Sequence, residues 1–124
     1  MKPWVLAGIR LYFRALAGVA PRVAGRHAYR LFSTPRYRAR NPEGASAVMS
    51  RARRLELDVE GRQVVAFEWA SPRPDAPRVL LMHGWESRAS RLATPWVEPL
   101  LAAGYSVLSF DAPGHGESPG KRSG

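Results

Sequence analysis

Two short stretches hold the residue types that could do chemistry. One is His83-Gly84-Trp85-Glu86-Ser87, and the other is Asp111-Ala112-Pro113-Gly114-His115-Gly116-Glu117-Ser118, followed by Pro119 and Gly120. In the second, Gly116, Ser118 and Gly120 spell Gly-x-Ser-x-Gly, the pattern of a strained turn that presents a serine as nucleophile. That chemistry needs the residue after the serine to give a backbone N–H to the developing oxyanion, and Pro119 has none. It also needs a strand directly before the turn and a helix directly after, whereas residues 111–117 read as loop. Ser118 is therefore not expected to be a nucleophile. The same glycines make a poor dinucleotide fingerprint, because Pro119 stands where a third glycine is required and no helix follows. The three histidines, His27, His83 and His115, have no metal-ligand spacing, and without cysteine there is no thiolate site, so no metal is expected.

Both stretches follow apolar runs. Val79-Leu80-Leu81-Met82 is continuously apolar, as in a strand buried on both faces, and Tyr105-Ser106-Val107-Leu108-Ser109-Phe110 reads as a second strand parallel to it. Between them Thr94 is placed to cap a helix with Pro95 at its first position. Trp96, Val97, Leu100 and Leu101 would face inward and Gly104 would close it. A strand, helix, strand unit of this kind is right-handed. Upstream, Leu55 to Glu60 alternates apolar and polar, Gly61 permits a turn, and Val64 to Trp69 answers, which predicts an antiparallel hairpin. Ser71 to Pro77, with three prolines, must be loop.

The first third is different in charge. Residues 1–54 carry twelve Lys/Arg against one acid, Glu43, while the remainder carries seven against nine, so the net +9 belongs to the first part. Seventeen of the nineteen cations are arginine, which fits either phosphate recognition or a bias in codon usage. Val5, Leu6, Ile9, Tyr12, Phe13, Leu16 and Ala20 recur at helical spacing, and after Pro21 the arginines 22, 26 and 30 repeat every four residues. These predict two amphipathic helices in a basic extension, residues 1–35, followed by a linker over 36–52 and a folded part over 53–124. Their apolar faces either pack on a protein body or rest on an anionic membrane surface. Nucleic acid is not expected as partner, because the cations sit in no recognisable docking motif.

One small domain is all that 124 residues allow, and 45% hydrophobic with 23% charged residues excludes a disordered or fibrous chain. The longest uncharged stretch, Pro99 to Phe110, is too short to span a bilayer. Arg10 and Arg14 interrupt the apolar start and Pro21 follows the one cleavage candidate, so the N-terminus is expected to be retained. The cysteine-free composition suits a reducing, cytoplasmic setting, at the inner membrane face if the helices rest on lipid.

Taken together and in order, the two stretches resemble the α/β-hydrolase superfamily, in which an apolar strand ends in His-Gly-x and a later one in Asp-x-x-Gly-x-Gly-x-Ser. The resemblance covers residues 53–120. It implies an α/β fold: an incomplete α/β-hydrolase sheet, made of the antiparallel hairpin and the parallel strand-helix-strand unit, with the helical extension before it. It implies that Trp85 supplies one backbone N–H of an oxyanion hole, that Gly84 allows the turn that aims it, and that His83 fixes the loop by hydrogen bonding. Asp111, Gly114, His115, Gly116 and Ser118 match a loop whose role in the family is structural. The family's nucleophile, acid and general-base histidine all come later in the chain order, so none of the triad is expected before Gly124 and these 124 residues alone are expected to be inactive. The activity implied is hydrolysis of a small ester- or amide-like substrate by a serine nucleophile, without cofactor. The rival reading is a non-catalytic binding module that uses the basic helices.

Overall fold

The computed structural model describes residues 2–123, which form two compact units that divide between Thr34 and Pro35. The first is a helical pair, α1 (Pro3–Val19) and α2 (Pro21–Phe32). Proline opens each helix, where its missing N–H costs nothing, and Ala20 between them leaves helical geometry at φ −143°, ψ 71°. On α1 the half-buried side chains are Val5, Ile9, Phe13 and Leu16, one face at helical spacing. Beside that face the Tyr12 hydroxyl reaches His27 Nδ1 on α2, with the two rings nearly parallel at 6.1 Å. Among the described residues no helix is long and apolar enough to cross a membrane.

The second unit is a four-stranded mixed sheet in the order β1 (Arg53–Val59), β2 (Arg62–Trp69), β4 (Ser106–Asp111), β3 (Arg78–Met82). The hairpin turns through Glu60 and Gly61, both at positive φ (53° and 75°), with Asp58 Oδ1 accepting the Gly61 N–H at 2.9 Å. Two consecutive left-handed residues match the right-handed strand twist and fix the register, Val59 opposite Arg62. β2 then pairs antiparallel with β4, and β4 pairs parallel with β3, so the hairpin and the crossover unit share one ladder.

Three readings are corrected. The segment expected to be a linker, residues 36–52, belongs to the folded body. It carries α3 (Ala45–Met49), buries Ala39, Ala45 and Val48, and its Val48 carbonyl accepts the Trp69 indole N–H at 2.8 Å. β3 is not covered on both faces. Leu81 joins the core with Val65, Phe67, Trp69 and Val107 under α3 and the crossover helix, but Leu80 and Met82 on the other face are 62% and 71% exposed. Within this unit the helices lie against one face of the sheet only.

The crossover helix starts earlier than Thr94. It runs as α4 (Ser90–Leu92), a π-helical stretch (Ala93–Val97) and α5 (Glu98–Ala102). Pro95 and Pro99 have no N–H to give an α-helical ladder, and the wider π turn accommodates that loss inside a continuous rod. The extra residue of the π turn shifts the helix face, so Val97 is fully buried while Trp96, expected to point inward, is exposed. Gly104 does close the helix. At φ 89° it sits between Gly104 N–H to Leu101 O and Tyr105 N–H to Leu100 O, both 3.0 Å, which is the Schellman pattern.

Candidate active site

The loops after β3 and β4 leave the same end of two neighbouring parallel strands, the end at which open α/β sheets bind ligands. Their junction is built on Asp111, the last residue of β4, which is fully buried. Its Oδ1 accepts the Ala89 N–H at 2.6 Å, where α4 begins, and its Oδ2 accepts the Glu117 N–H at 2.7 Å. Arg88 brings Nη2 to 4.0 Å from Oδ2 and to 3.5 Å from Glu117 Oε1, and donates Nη1 to the Ala39 carbonyl at 3.3 Å. Room for this carboxylate exists only because residue 116 is glycine. A Cβ on Gly116, at φ 44°, would lie 2.0 Å from Asp111 Oδ2. Across the loop, Arg54 on β1 is bonded to Glu56 and Glu117, and those two carboxylates raise its pKa above the ordinary guanidinium value.

The histidines cross-link the two loops. Ala112, which follows β4, donates its N–H to His83 Nε2 at 3.0 Å, leaving His83 Nδ1–H to the Gly84 carbonyl at 2.8 Å. In the opposite direction Glu86, in the β3 loop, donates its N–H to His115 Nε2 at 3.1 Å, with His115 Nδ1 3.2 Å from the Pro113 carbonyl. Each ring thus accepts on Nε2 and donates from Nδ1, which assigns the neutral Nδ1–H tautomer to both. Both rings are buried, 5.2 Å apart, and the Trp85 indole stands edge-on to His115 at 5.2 Å and 74°. An imidazole whose Nε2 lone pair already holds a buried backbone N–H has none to offer a substrate proton, so this geometry suits holding a loop rather than proton transfer.

Held in this way, the β3 loop tolerates an unusual backbone. Glu86 lies at φ 51°, a left-handed conformation that a side chain with a Cβ seldom adopts. Besides its N–H bond to His115, its carboxylate accepts the Arg36 N–H at 2.8 Å and stands 3.5 Å from Arg36 Nε. The strained residue directly follows Trp85, so these contacts fix the Trp85–Glu86 peptide, and the Trp85 N–H belongs to the Gly84–Trp85 peptide before it. Gly84 takes part through its carbonyl, which accepts from Ser87 N–H at 3.2 Å as well as from His83. Its φ is not positive, and a Cβ there would meet nothing within 4 Å, so the described chain has no steric need for glycine at 84.

Ser118 is fully buried and its hydroxyl has two partners, donating to the Asp111 carbonyl and accepting the Val65 N–H of β2 at 2.8 Å. This serine pins the second loop to the sheet and presents no oxygen to solvent. Gly114, at φ 77°, gives its N–H to Pro119 O at 3.1 Å and lies so near residues 121 and 122 that a Cβ would come within 3.1 Å of the Arg122 backbone. Among the described residues no three His, Cys, Asp or Glu side chains converge as metal ligands.

One residue of this site has no signature in the sequence. Arg38, in the supposed linker, donates Nη1 to the carbonyls of His115, Gly116 and Ser118 (3.1, 2.8 and 2.7 Å) and Nη2 to Gly120 O at 2.9 Å. Arg36 and Arg40 flank it in the same Arg-x-Arg-x-Arg run, and its partners are main-chain oxygens, which any sequence has. We expect Arg38→Ala to cost about 2 kcal/mol of unfolding free energy, in keeping with hydrogen bonds to a charged group. Arg38→Lys should recover little of it, because an ammonium cannot fork across four carbonyls. Urea denaturation of the two variants measures this, and a lysine variant as stable as the parent would rule out the clamp.

Residues 73–124, which include both loops, match the sequence model of a family described as serine aminopeptidase, S33. Among solved structures, an esterase of Pyrococcus furiosus is 25% identical over 74% of this chain and 34% of its own, with a TM-score of 0.55. In a second crystal form the figures are 26% identity, 72% and 34% coverage, and a TM-score of 0.50. A thioesterase domain from the curacin biosynthetic pathway is 32% identical over 56% of this chain and 24% of its own, with a TM-score of 0.45. The chain thus spans 24% to 34% of the length of these structures. No curated protein matches it.

Proposed function

We propose, from the likeness of residues 73–124 to the serine aminopeptidase family model and of the chain to the Pyrococcus furiosus esterase, that it forms the oxyanion side of an esterase-like α/β hydrolase whose serine nucleophile lies beyond Gly124. The observation that carries this reading is the double histidine lock: Ala112 to His83 and Glu86 to His115 fix the Gly84-Trp85-Glu86 backbone at the carboxyl end of two parallel strands. A donor that must stabilise charge as it develops is most effective when it is positioned before the reaction. In the reaction proposed, a serine oxygen attacks the carbonyl carbon of a small ester- or amide-like substrate and gives its proton to a histidine base. The carbonyl oxygen becomes an oxyanion that accepts the Trp85 N–H. Collapse of the intermediate expels the alcohol or amine, which takes the proton from the histidine, and water then releases the acid. The residues of this chain hold the donor, and no cofactor enters.

A fluorophosphonate probe tests this on the full-length protein. One serine beyond Gly124 should be labelled and Ser118 should not, since its hydroxyl is enclosed between Asp111 and Val65. Stoichiometric labelling at Ser118, lost in Ser118→Ala, would overturn the assignment.

A further inference from the structure

The helical pair carries two features that the proposed hydrolase chemistry does not use. The first is a second apolar face on α1. Trp4, Leu11, Ala15 and Val19 follow one another at seven, four and four residues, which places them on one line of the helix, with Gly8 beside them. That line is separate from the half-buried Val5, Ile9, Phe13 and Leu16, and its large members are open, Trp4 at 70%, Leu11 at 71% and Val19 at 88% exposure. The second feature is charge of one sign. Lys2, Arg10, Arg14, Arg22, Arg26 and Arg30 stand in a stretch with no Asp or Glu before Glu43, so the pair has no acid of its own to neutralise them. On α2, arginines 22, 26 and 30 form a stripe on the side away from the buried Ala24.

We propose that this helical pair docks on an anionic lipid bilayer surface, with Trp4, Leu11 and Val19 at the boundary between headgroups and acyl chains and the arginines on the lipid phosphates. Seventeen residues of α1 make a helix about 26 Å long at 1.5 Å per residue, and it carries Arg10 and Arg14, so it lies in the interface rather than crossing it. An interfacial helix needs apolar side chains on one side and cations near them, and α1 has both. A nucleic acid would use the arginines but would leave Trp4, Leu11 and Val19 in water. The segment before Pro35 also has no Asn or Gln with which to read an adenine edge. The inference is independent of the proposed hydrolase reading, and ester hydrolysis enters none of its readouts.

The test is sedimentation of the full chain with vesicles of phosphatidylglycerol mixed with phosphatidylcholine, and with vesicles of phosphatidylcholine alone. Partition should occur on the anionic vesicles only and weaken as salt is raised. Each arginine near such a surface adds roughly a fivefold factor, so Arg22→Gln with Arg26→Gln and Arg30→Gln should lower partition about a hundredfold. The double variant Trp4→Ser, Leu11→Ser should also lose most of the partition. These side chains are open to solvent, and unchanged helical circular dichroism would show that the fold is kept. Three results overturn the proposal: no partition on anionic vesicles; full partition retained in the Trp4→Ser, Leu11→Ser variant, which would leave a bare polycation effect; or a drop in thermal stability of that variant with partition unchanged, which would make the stripe a protein-packing face. Duplex DNA that displaces the chain from vesicles while binding the Trp4→Ser, Leu11→Ser variant equally would likewise assign the surface to nucleic acid.

Discussion

Asp111→Ala is expected to lower the unfolding free energy by about 3 to 5 kcal/mol, the range for removing one partner of a buried charge pair. The carboxylate is fully buried, and its removal leaves the Ala89 and Glu117 N–H groups without acceptors and the largely enclosed Arg88 guanidinium short of counter-charge. Asp111→Asn should cost less, because one amide oxygen can still accept one of the two N–H bonds. The change that tests the same contact from its other side is Gly116→Ala, whose methyl group would fall 2.0 Å from Asp111 Oδ2. Since both variants break one carboxylate-loop contact, their costs should not add in the double variant. Urea denaturation followed by tryptophan fluorescence gives all four values. A loss of less than about 1 kcal/mol for Asp111→Ala, or full additivity with Gly116→Ala, would show that Asp111 does not hold the junction.

What the sequence reveals of this molecule depends on whether a residue's partner also has a signature. The strands were legible because alternation in β1 and the apolar run of β3 are properties of those segments alone, and the parallel pairing followed from the helix-length connection between β3 and β4. The exposure of Leu80 and Met82 was not, since an apolar run reports that a residue can be buried, not that some element covers it. Pro95 misleads for a related reason. Proline favours a first helical turn, but here the three residues of α4 precede it and the π turn absorbs its missing N–H, which rotates Trp96 out of the core. Residues 36–52 looked like a traverse because they are polar and lack a period. Their role lies in bonds to main-chain atoms, from Arg38 and to Val48 O, and those partners leave no mark on a sequence. In the site, the pair of motifs pointed to both loops, whereas the reciprocal lock between His83 and His115 required coordinates, since nothing in either motif says which peptide each ring will accept.

Trp85 gives the sharpest separation of backbone from side-chain chemistry. On the proposed function, the working group at this position is the peptide N–H, so in the full-length protein Trp85→Pro should lower turnover of an activated ester by about a hundred- to a thousandfold, the cost of losing one oxyanion donor. Trp85→Ala keeps that N–H and should stay well under a hundredfold. The alanine variant is still not silent, because the indole packs edge-on to His115, whose Nε2 holds the Glu86 N–H and with it the turn that directs the Trp85 peptide. Its loss should therefore appear as a modest fall in stability and a partial fall in rate. A donor used only when charge develops lowers kcat and kcat/KM together and leaves KM nearly unchanged, so the proline variant should show that signature. A rise in KM alone would mean a substrate-binding contact instead. Proline also restricts residue 84 to extended geometry, so unaltered circular dichroism and an intact serine-probe label are needed beside the rate. Equal losses from alanine and proline would move the function from the N–H to the indole ring, and the oxyanion assignment would fall with it.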